Sequence, residues 1–146
     1  MRGEPIVILL VEDDAAHAEI VRRNLKGGRI ANRLEHVTDG QAALDYLYRR
    51  NGFSDPDKSP RPGIILLDLR MPKMDGLEVL KIIKSDPELL RIPVVILTTS
   101  STETDMARAY DSHANSYLVK PVEFEHFVKL METLGYYWLA WNQLPY

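Results

Sequence analysis

Cysteine is missing altogether from the 146 residues. That excludes a disulfide scaffold, a zinc–thiolate site, an Fe–S cluster and a cysteine nucleophile, and it fits a reducing compartment. Long apolar runs are missing too: none approaches the ~18 residues a helix needs to cross a bilayer. The opening Met1-Arg2-Gly3-Glu4-Pro5 has no signal-peptide cleavage region, so the sequence predicts a cytoplasmic protein with no membrane partner. There is no surplus of positive charge. Eighteen basic residues against 21 acidic ones give a net charge of −3, which points away from nucleic acid, whose binders usually carry a basic patch. No internal repeat or low-complexity tract is visible. Aromatic residues are few, 8% of the chain, yet Tyr136, Tyr137, Trp138, Trp141 and Tyr146 crowd the last eleven positions.

What is present suits one globular domain. The hydrophobic share is 45% and the charged share 27%, both ordinary for a folded chain, and the length fits a single domain. Four short apolar runs stand out, at Ile6–Val11, Ile64–Leu67, Val94–Leu97 and Tyr117–Val119. Continuous apolar runs without alternation suggest strands buried on both faces, as in a parallel sheet. Arg33–Val37 is more polar and reads as an edge strand.

Helix-period segments lie between them. Ile20, Val21 and Leu25 mark one after Asp14. Ala42, Ala43, Tyr46 and Leu47 mark a second after Asp39-Gly40. Leu77, Leu80 and Ile83 mark a third, which Asp75 and Glu78 open in the D-x-x-E form of a helix N-terminus. Ser85-Asp86-Pro87 is its stop. Thr102–Tyr110 is a weaker fourth. Phe124, Phe127, Val128 and Met131, at i, i+3, i+4 and i+7, give a fifth. The result is βα repeated five times, a parallel sheet covered on both faces. Its one long loop, 51–63, is rich in Pro, Ser, Asp and Gly.

In such a sheet, ligands bind beyond the carboxyl ends of the strands. The residues there are Glu12, Asp13 and Asp14 after the first strand and Asp68 after the third. Thr98 and Thr99 follow the fourth, and Lys120-Pro121 the fifth. Carboxylates ~4 Å apart repel by about 4 kcal/mol at an effective dielectric of 20, so a cluster needs a cation or raised pKa values. Hard oxygen ligands favour Mg²⁺. A carboxylate beside such an ion can attack a phosphoryl group, with Lys120 and Thr98 neutralising or hydrogen-bonding the transferring oxygens. Singly, each residue has an ordinary explanation: Asp14 as a helix cap, Asp68 as a loop acid, Lys120 as a solvated amine, Thr98 as a strand-end hydroxyl. Their placement after successive strands favours chemistry.

Four segments, ILLVEDD (8–14), LLDLRMPKMDG (66–76), VVILTTSS (94–101) and SYLVKP (116–121), resemble the receiver domain of two-component response regulators. They keep the family's order and spacing, 30 residues from Asp68 to Thr98 and 22 from Thr98 to Lys120. The resemblance covers about residues 5–135. It implies a flavodoxin-like fold with strand order 2-1-3-4-5, an order for which a receiver protein is a standard example. It makes Asp68 the phosphoacceptor. Asp13, Asp68 and the backbone carbonyl of Arg70 become direct Mg²⁺ ligands, with Glu12 acting through a water. It also makes Thr98 the switch hydroxyl, Tyr117 the switch aromatic, Lys120 the phosphate-contacting amine and Pro121 the residue after a cis peptide. The side chains of Arg70 and Ser100 fall where phosphate lifetime is tuned.

Residues 97–127 and the ending WLAWNQLP (138–145) resemble more narrowly the small response regulators paired with cyanobacterial and bacterial phytochromes. That group shares the long 51–63 loop and His at position 113. The implied partner is a sensor histidine kinase of the phytochrome type. A receiver over 1–135 and an extension over 136–146 are expected. The extension, through Tyr136, Tyr137, Trp138, Trp141 and Leu144, is expected to contact a second copy or a partner. It is too short for a DNA-binding module, so output is expected by protein contact or onward phosphotransfer. The chain is then a phosphoacceptor that assists its own phosphorylation, not an enzyme. A phosphohydrolase with an aspartyl-phosphate intermediate is disfavoured, since such enzymes need a second Asp where this chain has Arg70. A receiver-like interaction module without phosphorylation is the other alternative. Tyr46 and Tyr48 read as helix-face packing, and His17, His36, His113 and His126 show no metal-ligand spacing.

Overall fold

The computed structural model describes residues 6–26, 32–69, 71, 74–98, 116–120 and 123–133. Each apolar run becomes a strand: β1 (Ile6–Val11), β3 (Ile64–Asp68), β4 (Val94–Thr98) and β5 (Ser116–Val119), with the more polar β2 (Asn32–Val37) at an edge. All four pairings are parallel and the order is β2-β1-β3-β4-β5. This is the flavodoxin-like receiver arrangement expected from the resemblance. Four helices are described: α1 (Ala15–Lys26), α2 (Gly40–Leu47), α3 (Gly76–Ser85) and α4 (Phe124–Thr133). The helix expected at 102–110 and the whole 136–146 extension lie outside the described residues.

Side chains alternate across the strands and fill two cores. Leu9, Val11, Ile65, Leu67 and Ile96 pack with α2 and α3 on one face. Ile8, Leu10, Ile64, Leu66, Val95 and Leu97 pack with Val21 and Leu25 of α1 and with Phe127 and Leu130 of α4 on the other. Each such residue contributes roughly 1.5–3 kcal/mol on burial, and strands loaded on both faces have no solvent side. Ile20 departs from its expected place: it is exposed on α1, because the inward stripe runs through Ala18, Val21 and Leu25.

Local chemistry sets the helix starts. Asp39 accepts from the backbone N–H of Ala42, and Asp75 from that of Glu78. Asp14 accepts from the backbone N–H groups of Ala16 and His17 at 2.8 and 3.1 Å, so it caps α1. Capping aspartates of this kind contribute ~1 kcal/mol each. The 51–63 loop is tied to the body. The Tyr46 hydroxyl donates to the Pro60 carbonyl at 2.8 Å, Arg33 donates to the carbonyls of Asp57 and Lys58, and Phe53 packs on Tyr46.

Candidate functional site

Parallel strands end together, so the residues just past β1, β3 and β5 meet at one edge of the sheet. Glu12 leaves β1 with its backbone held on both sides: its N–H donates to the Val37 carbonyl at 3.0 Å, and its carbonyl lies 2.7 Å from His36 Nε2. Its side chain is wholly buried, with Oε2 accepting from the Asp14 N–H at 3.2 Å. Asp68 ends β3 and is 7% exposed. Gly76 brings the chain back tightly against it: a Cβ there would run into the Asp68 carbonyl oxygen and the Leu69 Cα, and the Gly76 N–H donates to the Leu69 carbonyl.

Lys120 follows β5 and reaches into this corner. Its ammonium is 3.0 Å from Asp68 Oδ2 and 2.5 Å from Glu12 Oε1, with only 7% of the side chain exposed. Asp13 sits beside them in solvent, and carboxylate oxygens of Glu12, Asp13 and Asp68 lie within 4.8 Å of one another.

The electrostatics follow from crowding. Burial and the neighbouring Asp68 carboxylate push Glu12 up to about 7, against the pull of Lys120 and the Asp14 N–H. Burial draws the Lys120 ammonium down, but the two carboxylates outweigh it and hold the group above its ordinary value. Capping contacts with the His17 and Ala16 N–H groups hold Asp14 below the usual carboxylate range.

These donors fit a hard divalent cation. Glu12 Oε1 is buried and has no hydrogen-bond partner of acceptable geometry, although the Lys120 ammonium is close. Three carboxylates and one ammonium, all ionised, leave a formal charge of −2 among buried or crowded oxygens, which suits Mg²⁺ or an ion like it. The same oxygens have no soft or sulfur ligand to favour another class of metal.

Glu12, Asp13, Asp68 and Lys120 are thus brought together as the sequence predicts. Thr98 ends β4 beside β3, one residue past the Leu97 that pairs with Asp68. Tyr117 pairs with Ile96 and packs partly buried against the α2–α3 core, two pairs in from Thr98. Arg70, Ser100, Pro121 and His113 lie outside the described residues, as do Tyr136, Tyr137, Trp138, Trp141 and Leu144.

Two residues were not foreseen. His36 anchors the Glu12 carbonyl from β2, and His17 stands beside Lys120, 3.3 Å from Nδ1 to Nζ. The available signal was positional: His17 is the third residue of α1 directly after the acidic triplet, and His36 is the next-to-last residue of the strand beside β1.

A doubly wound parallel sheet with clustered acids and a lysine at its carboxyl edge is the layout of a receiver, and residues 8–132 match the response regulator receiver domain family. The chain belongs to that family. It is 46% identical over 142 residues to a Methanothrix harundinacea protein called "Probable methanogenesis regulatory protein FilR2", covering 97% of this chain and 89% of that one. It is 43% identical over 141 residues to response regulator Rcp1 of Synechocystis, covering 97% and 94%. The Mn²⁺-bound structure of Rcp1 superimposes with a TM-score of 0.74 over 97% of this chain and all of that one. The phosphorylated cyanobacterial phytochrome response regulator RcpA does so with a TM-score of 0.77 at 37% identity, over 98% of this chain and all of that one.

Proposed function

We propose that this receiver is controlled by phosphorylation, with Asp68 taking a phosphoryl group from a phosphohistidine of a sensor histidine kinase. The carrying observation is Asp68 itself: a nearly buried carboxylate at a strand end, flanked by Glu12 and Asp13 and contacted by the Lys120 ammonium. In the transfer, an oxygen of Asp68 forms a bond to phosphorus as the donor P–N bond breaks. The electron pair leaves on the donor imidazole, which takes up a proton from solvent.

Asp13, Asp68 and the Arg70 carbonyl would hold Mg²⁺, with Glu12 acting through a water; bound there, the ion supplies positive charge to the transferring oxygens. The crowded Glu12, Asp13 and Asp68 oxygens and the Mn²⁺-bound form of the relative Rcp1 support this assignment. Lys120 meets a phosphoryl oxygen from the side of β5. Arg70 and Ser100 are the residues assigned, on the family resemblance, to tuning the lifetime of the phosphorylated state. The chain is a signalling phosphoacceptor rather than an enzyme with turnover.

Thr98 and Tyr117 carry the change outward, Thr98 toward the phosphoryl group and Tyr117 into the space it vacates. A charge-assisted hydrogen bond is worth about 1.5–3 kcal/mol, whereas inverting a population from 1:99 to 99:1 takes roughly 5.5 kcal/mol. Thr98 therefore acts together with Lys120 and the metal. The signal leaves by protein contact or onward phosphotransfer, with residues 136–146 proposed as the contact for a second copy or a partner.

A kinase of the phytochrome class is the proposed donor, on the likeness to RcpA. The comparable likeness to FilR2 makes a kinase of another sensory class the alternative. Phosphotransfer from an autophosphorylated bacterial phytochrome kinase, run beside an unrelated histidine kinase, tests this. Rapid transfer from the phytochrome alone supports the pairing, and equal slow transfer from both rejects it.

A further inference from the structure

Lys120 has a third neighbour that the acidic cluster does not explain. An ammonium has three N–H donors and no acceptor. Two of its contacts are carboxylates, Glu12 and Asp68. The third is His17 Nδ1, at 3.3 Å. That nitrogen is farther from the acids around it, 3.8 Å from Glu12 Oε1 and 3.9 Å from Asp14 Oδ2.

An ammonium only donates, so as a hydrogen bond this contact puts a lone pair on Nδ1 and the ring proton on Nε2. His17 is also well placed to hold something. Asp14 accepts from its backbone N–H at 3.1 Å, so the α1 cap fixes where the ring starts regardless of what the ring does. The imidazole is 37% exposed and its Nδ1 lies 3.8 Å from the buried Glu12 carboxylate, so it borders both the acids and solvent.

We infer that His17 is a positioning residue for Lys120: the Nδ1 lone pair accepts an N–H of the ammonium and keeps the amine at the junction of Glu12 and Asp68. Without it the ammonium keeps only its two carboxylate contacts. This role in transfer rests on the reading of Asp68 as phosphoacceptor, but the contact itself does not.

Two measurements on the full chain decide. The first is imidazole nitrogen NMR of the metal-free, unphosphorylated protein. His17 is expected with a bare Nδ1 and a protonated Nε2, and its Nδ1 resonance is expected to move in Lys120→Met. A proton on Nδ1, or a resonance indifferent to Lys120→Met, overturns the inference. The second is the rate of labelling by acetyl phosphate at saturating Mg²⁺. His17→Ala is expected to be about threefold to tenfold slower, the size of one hydrogen bond. His17→Asn, whose amide oxygen stands in for Nδ1, is expected to recover most of the rate. A parental rate in His17→Ala, or an Asn variant as slow as Ala, contradicts it. If the parent protein takes no label on Asp68, the phosphoacceptor reading falls, and the nitrogen resonances still decide whether His17 holds Lys120.

Discussion

Two lysines sit largely out of water at opposite edges of the sheet, and they are held in opposite ways. At the amino-terminal edge, Lys84 of α3 donates to the carbonyls of Leu90 and Ile92 at 3.0 and 2.9 Å. Its partners are dipoles, and burial draws its ammonium below the ordinary value. At the carboxyl edge, Lys120 meets two carboxylates, which hold it above that value despite burial. Lys84 fastens a corner whose polar groups are matched. Lys120 belongs to a cluster whose acids outnumber it and where one buried oxygen has no directional partner. A matched corner is scaffold. A mismatched one stores unfavourable charge that a ligand can relieve, and that marks a site.

The largest expected effect breaks the carboxyl edge. Removing one member of a buried ion pair typically costs 3–5 kcal/mol. Lys120→Met is therefore expected to lose about 3 kcal/mol or more of urea-unfolding stability near neutral pH without Mg²⁺, and to regain part of it when Mg²⁺ is added. A loss that Mg²⁺ leaves untouched would separate the lysine from the metal site.

A pH profile sharpens the same edge. Glu12 lies at about 7 in the folded chain against an ordinary 4.5, so between those values the folded state holds a proton that the unfolded state has released. The stability this contributes is full below about pH 4.5, declines between, and is gone above about pH 7. At 1.36 kcal/mol per pH unit, the decline is about 3 kcal/mol at most. Unfolding in chelator at about pH 5 and about pH 7.5 is expected to show it, and Glu12→Gln to flatten it.

The amino-terminal edge should respond less and without regard to metal. Lys84→Met is expected to cost about 1–2 kcal/mol, since water reaches the carbonyl of exposed Leu90 once the ammonium is gone, with the same loss in chelator and in Mg²⁺. The smallest effect is expected nearby. The Tyr48 hydroxyl donates to Asp86 Oδ2 at 2.6 Å, an exposed contact between α2 and the end of α3. Tyr48→Phe is expected to lower the melting stability by about 0.5 kcal/mol.

Much of this contrast was legible in the sequence. Glu12, Asp68 and Lys120 could be placed at one edge because each follows an apolar run and parallel strands end together. Helix starts were legible at Asp39 and Asp75 because a capping side chain bonds within its own turn. The helix stripes were read less well. Ile20 fits a core stripe on periodicity yet faces solvent, whereas Leu130 falls outside the Phe124, Phe127, Val128 and Met131 pattern and is buried. Contacts between distant segments left no local signal. His17 and Lys120 are 103 positions apart, and nothing in the spacing of α1 says which strand end its first turn faces. The partners of Lys84, the carbonyls of Leu90 and Ile92, come from the turn after α3 folding back onto it.

The central claim is that the mismatched corner exists to receive a phosphoryl group on Asp68. Intact-protein mass spectrometry after incubation with acetyl phosphate and Mg²⁺ tests it most directly, with Asp68→Asn in parallel. The account predicts one added phosphoryl group on the parent chain and none on Asp68→Asn or on the parent in chelator. Equal labelling of Asp68→Asn would contradict it.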